Sequence, residues 1–170
     1  LIMKKYILHT IITLIAFSCE TKTVEVDKVA GQQLWGDNIG NGFTLGSNDD
    51  MQTTLDVIHA YAEGNFDLVM EKMADTCYFR PEKGGEWITL ANPFGDFLQT
   101  LHDPYDSIVR SAYNAVPIKP EGSEYTIVSV PFSEIKYGKD GTVVNESVFE
   151  RFWLKDGKIE RVLKWVAEAQ

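Results

Sequence analysis

The sequence predicts an α+β domain: amino-terminal helices packed on a strongly curved antiparallel sheet, with a cone-shaped space between them. Helical periodicity is confined to residues 48–102, and everything from residue 107 onward reads as β. Asp156-Gly157 stands between two aromatic, β-rich runs at 147–154 and 159–166. That is a strong hairpin signal, because both central turn residues need positive φ. Helices and sheet each have an apolar side to bury, so the helices must cover one sheet face.

The domain is expected over residues 48–170. It opens at Ser47-Asn48-Asp49-Asp50, a group of N-cap candidates with acids in the first turn. Met51, Leu55, Ile58 and Ala62 fall at helical spacing, and Val57 and Tyr61 widen the stripe. Gly64-Asn65 stops this helix, and a second over 66–73 buries Leu68, Val69 and Met73. A strand over 76–80 ends at Pro81 and a turn over 82–85, and Trp87-Ile88-Thr89 reads as a short strand. Asn92-Pro93 opens a third helix with proline in its first position, closed by His102-Asp103-Pro104. Strands follow at 107–116, 125–137 and 142–154, with Pro131 implying a bulge or an edge in the second.

Pairing Lys155 with Lys158 sets the register of the closing hairpin. Leu154 then faces Ile159, Phe152 faces Arg161, Glu150 faces Leu163 and Val148 faces Trp165. Glu150 and Arg161 are diagonal neighbours on this more apolar face, which reads as the cavity floor. The other face carries Phe149, Arg151, Trp153, Lys164 and Val166, too aromatic for free solvent, and suits a homodimer interface.

The chain of 170 residues has a formal charge of −9. Residues 1–18 read as an export signal: Lys4-Lys5, then a mostly apolar run to Phe17, shorter than the ~20 residues of a membrane span. Removing Lys4 and Lys5 with it leaves 14 basic against 25 acidic residues, or −11. Neither nucleic acid nor an anionic lipid surface finds a basic face here. Cys19, directly after Ala16-Phe17-Ser18, resembles the lipidation site of a bacterial lipoprotein, which implies an acyl anchor at the cell envelope, on a periplasmic or outer-membrane face. Residues 19–47, with Gly31, Gly36, Gly40, Gly42 and Gly46, read as a flexible tether, although Trp35, Phe43 and Leu45 are apolar enough to dock on the domain edge. Cys77 has no partner in this scheme and reads as a small buried hydrophobe.

Tyr61-Ala62-Glu63-Gly64-Asn65-Phe66-Asp67 with Met73-Ala74-Asp75, and Phe149-Glu150-Arg151-Phe152-Trp153 with Asp156-Gly157-Lys158-Ile159, resemble the opening and closing of the NTF2-like superfamily, the latter its SnoaL-like members. The resemblance spans residues 49–167. It implies a cone-shaped cavity, frequent homodimers, and activities ranging from isomerase, cyclase and dehydratase to none known, so fold does not fix function. Counted from Gly64, the general-base aspartate of a ketosteroid isomerase falls at Pro81 and its first-helix tyrosine at Val57, so that mechanism does not carry over. No metal-ligand spacing and no phosphate-binding glycine loop is present, and no cofactor is expected.

The leading expectation is an exported, lipid-tethered protein whose cavity binds a small apolar or amphipathic molecule without an assignable reaction. Tyr61, Trp87, Phe94, Glu150, Phe152, Arg161 and Trp165 are the candidate ligand contacts. The enzyme alternative is a SnoaL-like lyase or isomerase using His102, Glu82 or Glu150 as acid–base. A third alternative is an interaction module acting through the outer sheet face.

Overall fold

The computed structural model describes residues 31–34, 39–81 and 85–168. Three helices, α1 (Asn48–Ala62), α2 (Phe66–Lys72) and α3 (Gly95–His102), lie against one eight-stranded sheet. Its strands are β1 (Phe43–Leu45), β2 (Met73–Arg80), β3 (Ile88–Ala91), β4 (Tyr105–Ala112), β5 (Val116–Pro120), β6 (Thr126–Gly138), β7 (Val143–Lys155) and β8 (Lys158–Glu168). They run in the order β1-β5-β6-β7-β8-β2-β3, and β4 also pairs with β6. The α+β class holds, but the sheet is mixed: β2 pairs with β8 in parallel. The path from α2 into β2 closes the sheet alongside the last strand, a long-range pairing that local patterns do not encode.

Local chemistry sets the helix ends. The Ser47 hydroxyl accepts from the Asp49 and Asp50 amides and caps α1, and Asn65 Oδ1 accepts from the Leu68 amide at the start of α2. Gly64, at φ 73°, makes the left-handed turn between them. The third helix starts later than expected. Asn92–Pro93 is a cis peptide ahead of it, Phe94 is the N-cap, and Asn92 Nδ2 donates to the Met70 carbonyl of α2.

The stretch read as one strand over 107–116 is two. β4 pairs with the second half of β6 and β5 with the first, with a break at residues 113–115. Tyr113 N–H donates to the Pro131 carbonyl across this break. A strand residue's N–H and C=O point the same way, so the missing Pro131 donor also faces the break. Pro131 therefore sits in a central, unbulged strand, continuously paired with β7, because its other neighbour is interrupted there. Residues 43–45, within the expected tether, form edge strand β1 against β5. Trp35 lies outside the described residues.

The hairpin turn is as expected, with Asp156 at φ 51° and Gly157 at φ 74°. Its register is not. Lys155 pairs with Lys158 and Leu154 with Ile159, but Trp153 pairs with Arg161, leaving Glu160 as the extra residue of a β-bulge. The Tyr125 hydroxyl donates to the Glu160 carboxylate at 2.9 Å, which holds the bulge from the start of β6. One inserted residue sends every later β8 side chain to the opposite face. Glu150 thus faces Lys164, Phe152 faces Val162, and Phe149 faces Trp165. The inner face carries Val128, Val130 and Phe132 of β6, Val148, Phe152 and Leu154 of β7, and Val162 of β8, packed on Val57, Ile58 and Ala60 of α1.

Two substitutions separate packing from turn geometry. Phe152→Ala, in the fully packed inner layer, is expected to lower unfolding free energy by about 3–5 kcal/mol. Gly157→Ala, with open space around its added methyl but a positive φ, is expected to cost about 1 kcal/mol. Urea denaturation checks both, and equal losses would contradict the assignment of the inner layer as the core.

Candidate functional site

The helices and the concave face of the sheet enclose a cavity of about 130 Å³. Val57 and Tyr61 of α1, Val69 of α2, Met73, Cys77 and Phe79 of β2, and Leu90 of β3 form much of its wall. Phe94, Phe97, Leu98 and Leu101 close it from α3, and Phe152 and Val162 form the apolar part of the floor. Three charged side chains reach it, Arg110 of β4, Glu150 of β7 and Lys164 of β8. An apolar chamber with a few convergent polar groups is the usual form of a small-molecule site.

Those three belong to a polar network on the inner face. Glu134 of β6 is wholly buried and is bound by Arg110 at 2.5 Å, Lys136 at 3.1 Å and Lys164 at 3.2 Å. Glu134 lies directly opposite Glu146 across the β6–β7 ladder, a like-charge pairing that would be unfavourable alone. Lys136 relieves it by reaching both carboxylates, Glu146 at 2.6 Å. The Arg110 guanidinium lies 4.3 Å from the Tyr61 ring centre and 5.1 Å from that of Phe132, a cation held between two aromatic faces.

The two buried carboxyls respond oppositely. Burial pushes Glu134 up, but Arg110, Lys164 and Lys136 together outweigh it and hold the group down at about 2. Glu150 is also almost fully buried, and there burial wins over Arg110 and Lys164 and pushes its carboxyl up. No described residue hydrogen-bonds or ion-pairs with Glu150, yet no buried side-chain oxygen is left without a partner. Its oxygens therefore keep accessible surface, and Glu150 lines the cavity. The same holds for the terminal nitrogens of Arg110, whose Nε alone is bonded, to Glu134. Burial also pushes the Tyr61 hydroxyl up and the Cys77 thiol up to about 11, with Cys77 Sγ 3.2 Å from the Ala74 carbonyl. Cys77 is a buried neutral group.

Of the expected contacts, Tyr61, Phe94, Glu150 and Phe152 come together around this cavity. Arg161, Trp165 and Trp87 do not. The bulge turns Arg161 outward over the Tyr78 and Tyr125 rings and stacks Trp165 on Phe149 at 5.4 Å. Trp87 is exposed and in edge contact with Trp153 of the outer face. The same inversion removes Lys164 and Val166 from the expected outer set, so the outer face carries Phe149, Arg151, Trp153, Arg161 and Trp165. His102 packs between the Tyr61 and Phe66 rings and its Nε2 meets the Ala62 carbonyl at 3.4 Å, a link between helix ends rather than a cavity group. His59 is exposed. Glu82 and Cys19 lie outside the described residues. Arg110, Glu134 and Lys136 escape the sequence reading, which puts Lys164 on the outer face. Arg110, Glu134 and Lys136 alternate at spacing two with apolar residues, and that alternation reads as a solvated face when the helices above it are not in view.

No protein-family model and no curated protein matches the chain in sequence. Solved structures do match its fold. An LEH-like epoxide hydrolase from M. tuberculosis aligns over 71% of this chain and 84% of its own, at TM-score 0.58 and 12% identity. The epoxide hydrolase/cyclase-like enzyme SalBIII, with a role in pyran ring formation in the polyether salinomycin, aligns over 69% and 90%, at TM-score 0.58 and 12% identity. An NTF2-like protein of unknown function from Exiguobacterium sp. 255-15 aligns over 69% and 99%, at TM-score 0.55 and 16% identity. The fold is the NTF2-like cone: three helices on a large curved mixed sheet.

The two carboxyls predict opposite pH behaviour. Glu134, held below its ordinary value of 4.5, contributes stability that is complete above pH ~4.5 and lost as pH falls towards about 2. Glu134→Gln is expected to cost about 3–5 kcal/mol at pH 7, since Arg110, Lys136 and Lys164 each lose a buried carboxylate. Glu150, raised above 4.5, carries a penalty absent below that pH and growing as pH rises towards its folded value. Glu150→Gln should therefore raise Tm at pH 7 and change it little at pH 4. Thermal unfolding across pH 4–8 checks both, and a Glu150→Gln loss at pH 7 would contradict the upward shift of this carboxyl.

Proposed function

We propose that this domain binds a small molecule with an apolar body and one polar end, the body in the aromatic chamber and the polar end against Glu150 and Arg110. The observation that carries this reading is Glu150, buried at 5% exposure, unpartnered among the described residues, and open to the cavity. A carboxyl with no structural partner, kept at an energetic cost, is what a binding or reacting site retains. We propose further that an acylated Cys19 carries the domain to the bacterial cell envelope.

A second reading is favoured by the same group. A buried carboxyl pushed up by its surroundings is suited to proton donation, and two of the structures similar in fold are described as epoxide hydrolase-like. In that reading Glu150 protonates the oxygen of a strained cyclic ether as its C–O bond breaks, water forms the new C–O bond, and the proton that water releases passes to solvent, from which Glu150 is reprotonated.

An apolar probe tests the site. At ten times its Kd, indole is expected to stabilise the protein by about 1.4 kcal/mol, a shift of a few degrees in Tm. Val162→Phe fills the floor and should abolish that shift; an equal shift in both proteins would place the binding elsewhere. Styrene oxide discriminates the enzyme reading. Diol formation that disappears in Glu150→Gln, with the indole shift retained, is its expected signature, and no diol from the unaltered protein would sink it. For the tether, intact mass of membrane-extracted protein should show a diacylated or triacylated Cys19, and an unmodified thiol there would refute it.

A further inference from the structure

We propose that the ligand is a monocarboxylate with a body of about one six-membered ring, its carboxylate held at the cavity floor by the terminal nitrogens of Arg110, beside Glu150. This rests on the cavity reading above and narrows it to a chemical class.

The volume sets the body. A cavity of about 130 Å³ is close to the ~150 Å³ apolar cavity that accommodates one benzene. Phe94, Phe97, Leu98 and Phe152 give that body apolar and aromatic contact on several sides. A longer chain would have to leave the chamber.

The floor sets the head. Arg110 is fixed through Nε by Glu134 and by the Tyr61 face, so its terminal N–H groups are pre-aimed and their loss of freedom is already met. A planar two-oxygen anion matches such a fork, and a charge-assisted pair is about twice as strong as a neutral one. Glu150 lies beside that fork on the cavity floor, and burial pushes its carboxyl up, which favours an O–H facing the second oxygen. The groups facing Glu150 are Arg110 from β4, Glu134 and Lys136 from β6, Lys164 from β8 and Tyr61 from α1. An amine would meet Arg110 and Lys164 at the floor and is disfavoured. A phosphate dianion would bring a second negative charge towards Glu134 and Glu150. A single carboxylate places one charge on Arg110 and leaves the network otherwise unchanged.

Isothermal titration of the full chain at pH 6 with phenylacetate, 2-phenylethanol and 2-phenylethylamine tests this. The three share one ring and differ only in the head. Phenylacetate is expected to bind at least about tenfold tighter than 2-phenylethanol, with 2-phenylethylamine weakest, as one charge-assisted hydrogen-bond pair implies. Arg110→Gln should shrink that preference below about threefold. Glu150→Gln, which keeps a neutral donor, should retain most of the preference. If 2-phenylethanol and indole bind but phenylacetate is no tighter, the carboxylate assignment fails and the cavity reading stands. If none of the ring compounds binds, both fall. The comparison of ligands on the unaltered protein decides even where Arg110→Gln folds poorly.

Discussion

One extra residue in β8 decides what this molecule can do. Glu160 has no cross-strand partner, and from Arg161 onward the pleat of β8 is inverted relative to an unbroken hairpin. Without that inversion Arg161 and Trp165 would point into the chamber and Lys164 outward. A guanidinium and an indole under three helices would fill the space and leave Glu134 short of a cation. The bulge is itself held: the Tyr125 hydroxyl binds the Glu160 carboxylate, and the Arg161 cation lies over the Tyr125 ring. It also falls where β2 meets β8, whose parallel ladder shifts register between Met73 and Tyr78. The shift lets both neighbours of β8 follow the same bend.

The polar network is the second consequence. Six charged side chains on the inner face of a sheet are an expensive arrangement, since each loses its hydration on folding. Their order shows how the cost is met. Glu134 sits at the centre, with Arg110, Lys136 and Lys164 around it, and Lys136 ties in Glu146. Glu150 is the exception. It lies next to the same cations but is not bonded into the cluster, and burial drives it towards the neutral form. Its neighbouring cations favour the charged form but do not outweigh burial, and its carboxyl faces the cavity.

The charged groups of the chamber accordingly come from the sheet, while the helices supply its apolar wall and the Tyr61 ring against Arg110. Val57 puts an apolar side chain into the chamber from α1, and His102 links two helix ends outside the cavity. Arg110, Glu150 and Lys164 come from three separate strands, each held on both edges by its ladders or by the network. Side chains anchored in this way are aimed with little freedom, which favours recognition of a defined polar head over loose accommodation of apolar bodies. Among the described residues no group of His, Cys, Asp and Glu is arranged to hold a metal ion, and no helix is long and apolar enough to cross a membrane.

The sequence by itself determined whatever depends on neighbours along the chain. The Ser47 and Asn65 caps, the Gly64 break, the Asp156-Gly157 turn and the 3.6-residue stripe through Val57, Ile58 and Tyr61 are local, and they sufficed for the α+β class and for four members of the cavity wall: Tyr61, Phe94, Phe152 and Glu150. What lay beyond reach depended on pairings between distant segments. A bulge leaves no mark in a strand's alternation until both partners are aligned, so the faces of Arg161, Lys164 and Trp165 were inverted. The pairing of β2 with β8 in parallel and the break beside Pro131 are likewise properties of the assembled sheet. Only the tertiary structure could show that Glu134, in a strand of alternating charge, is buried beneath helices and gathers Arg110, Lys136 and Lys164 from three strands, because electrostatic burial is set by what covers a residue and not by the residues beside it.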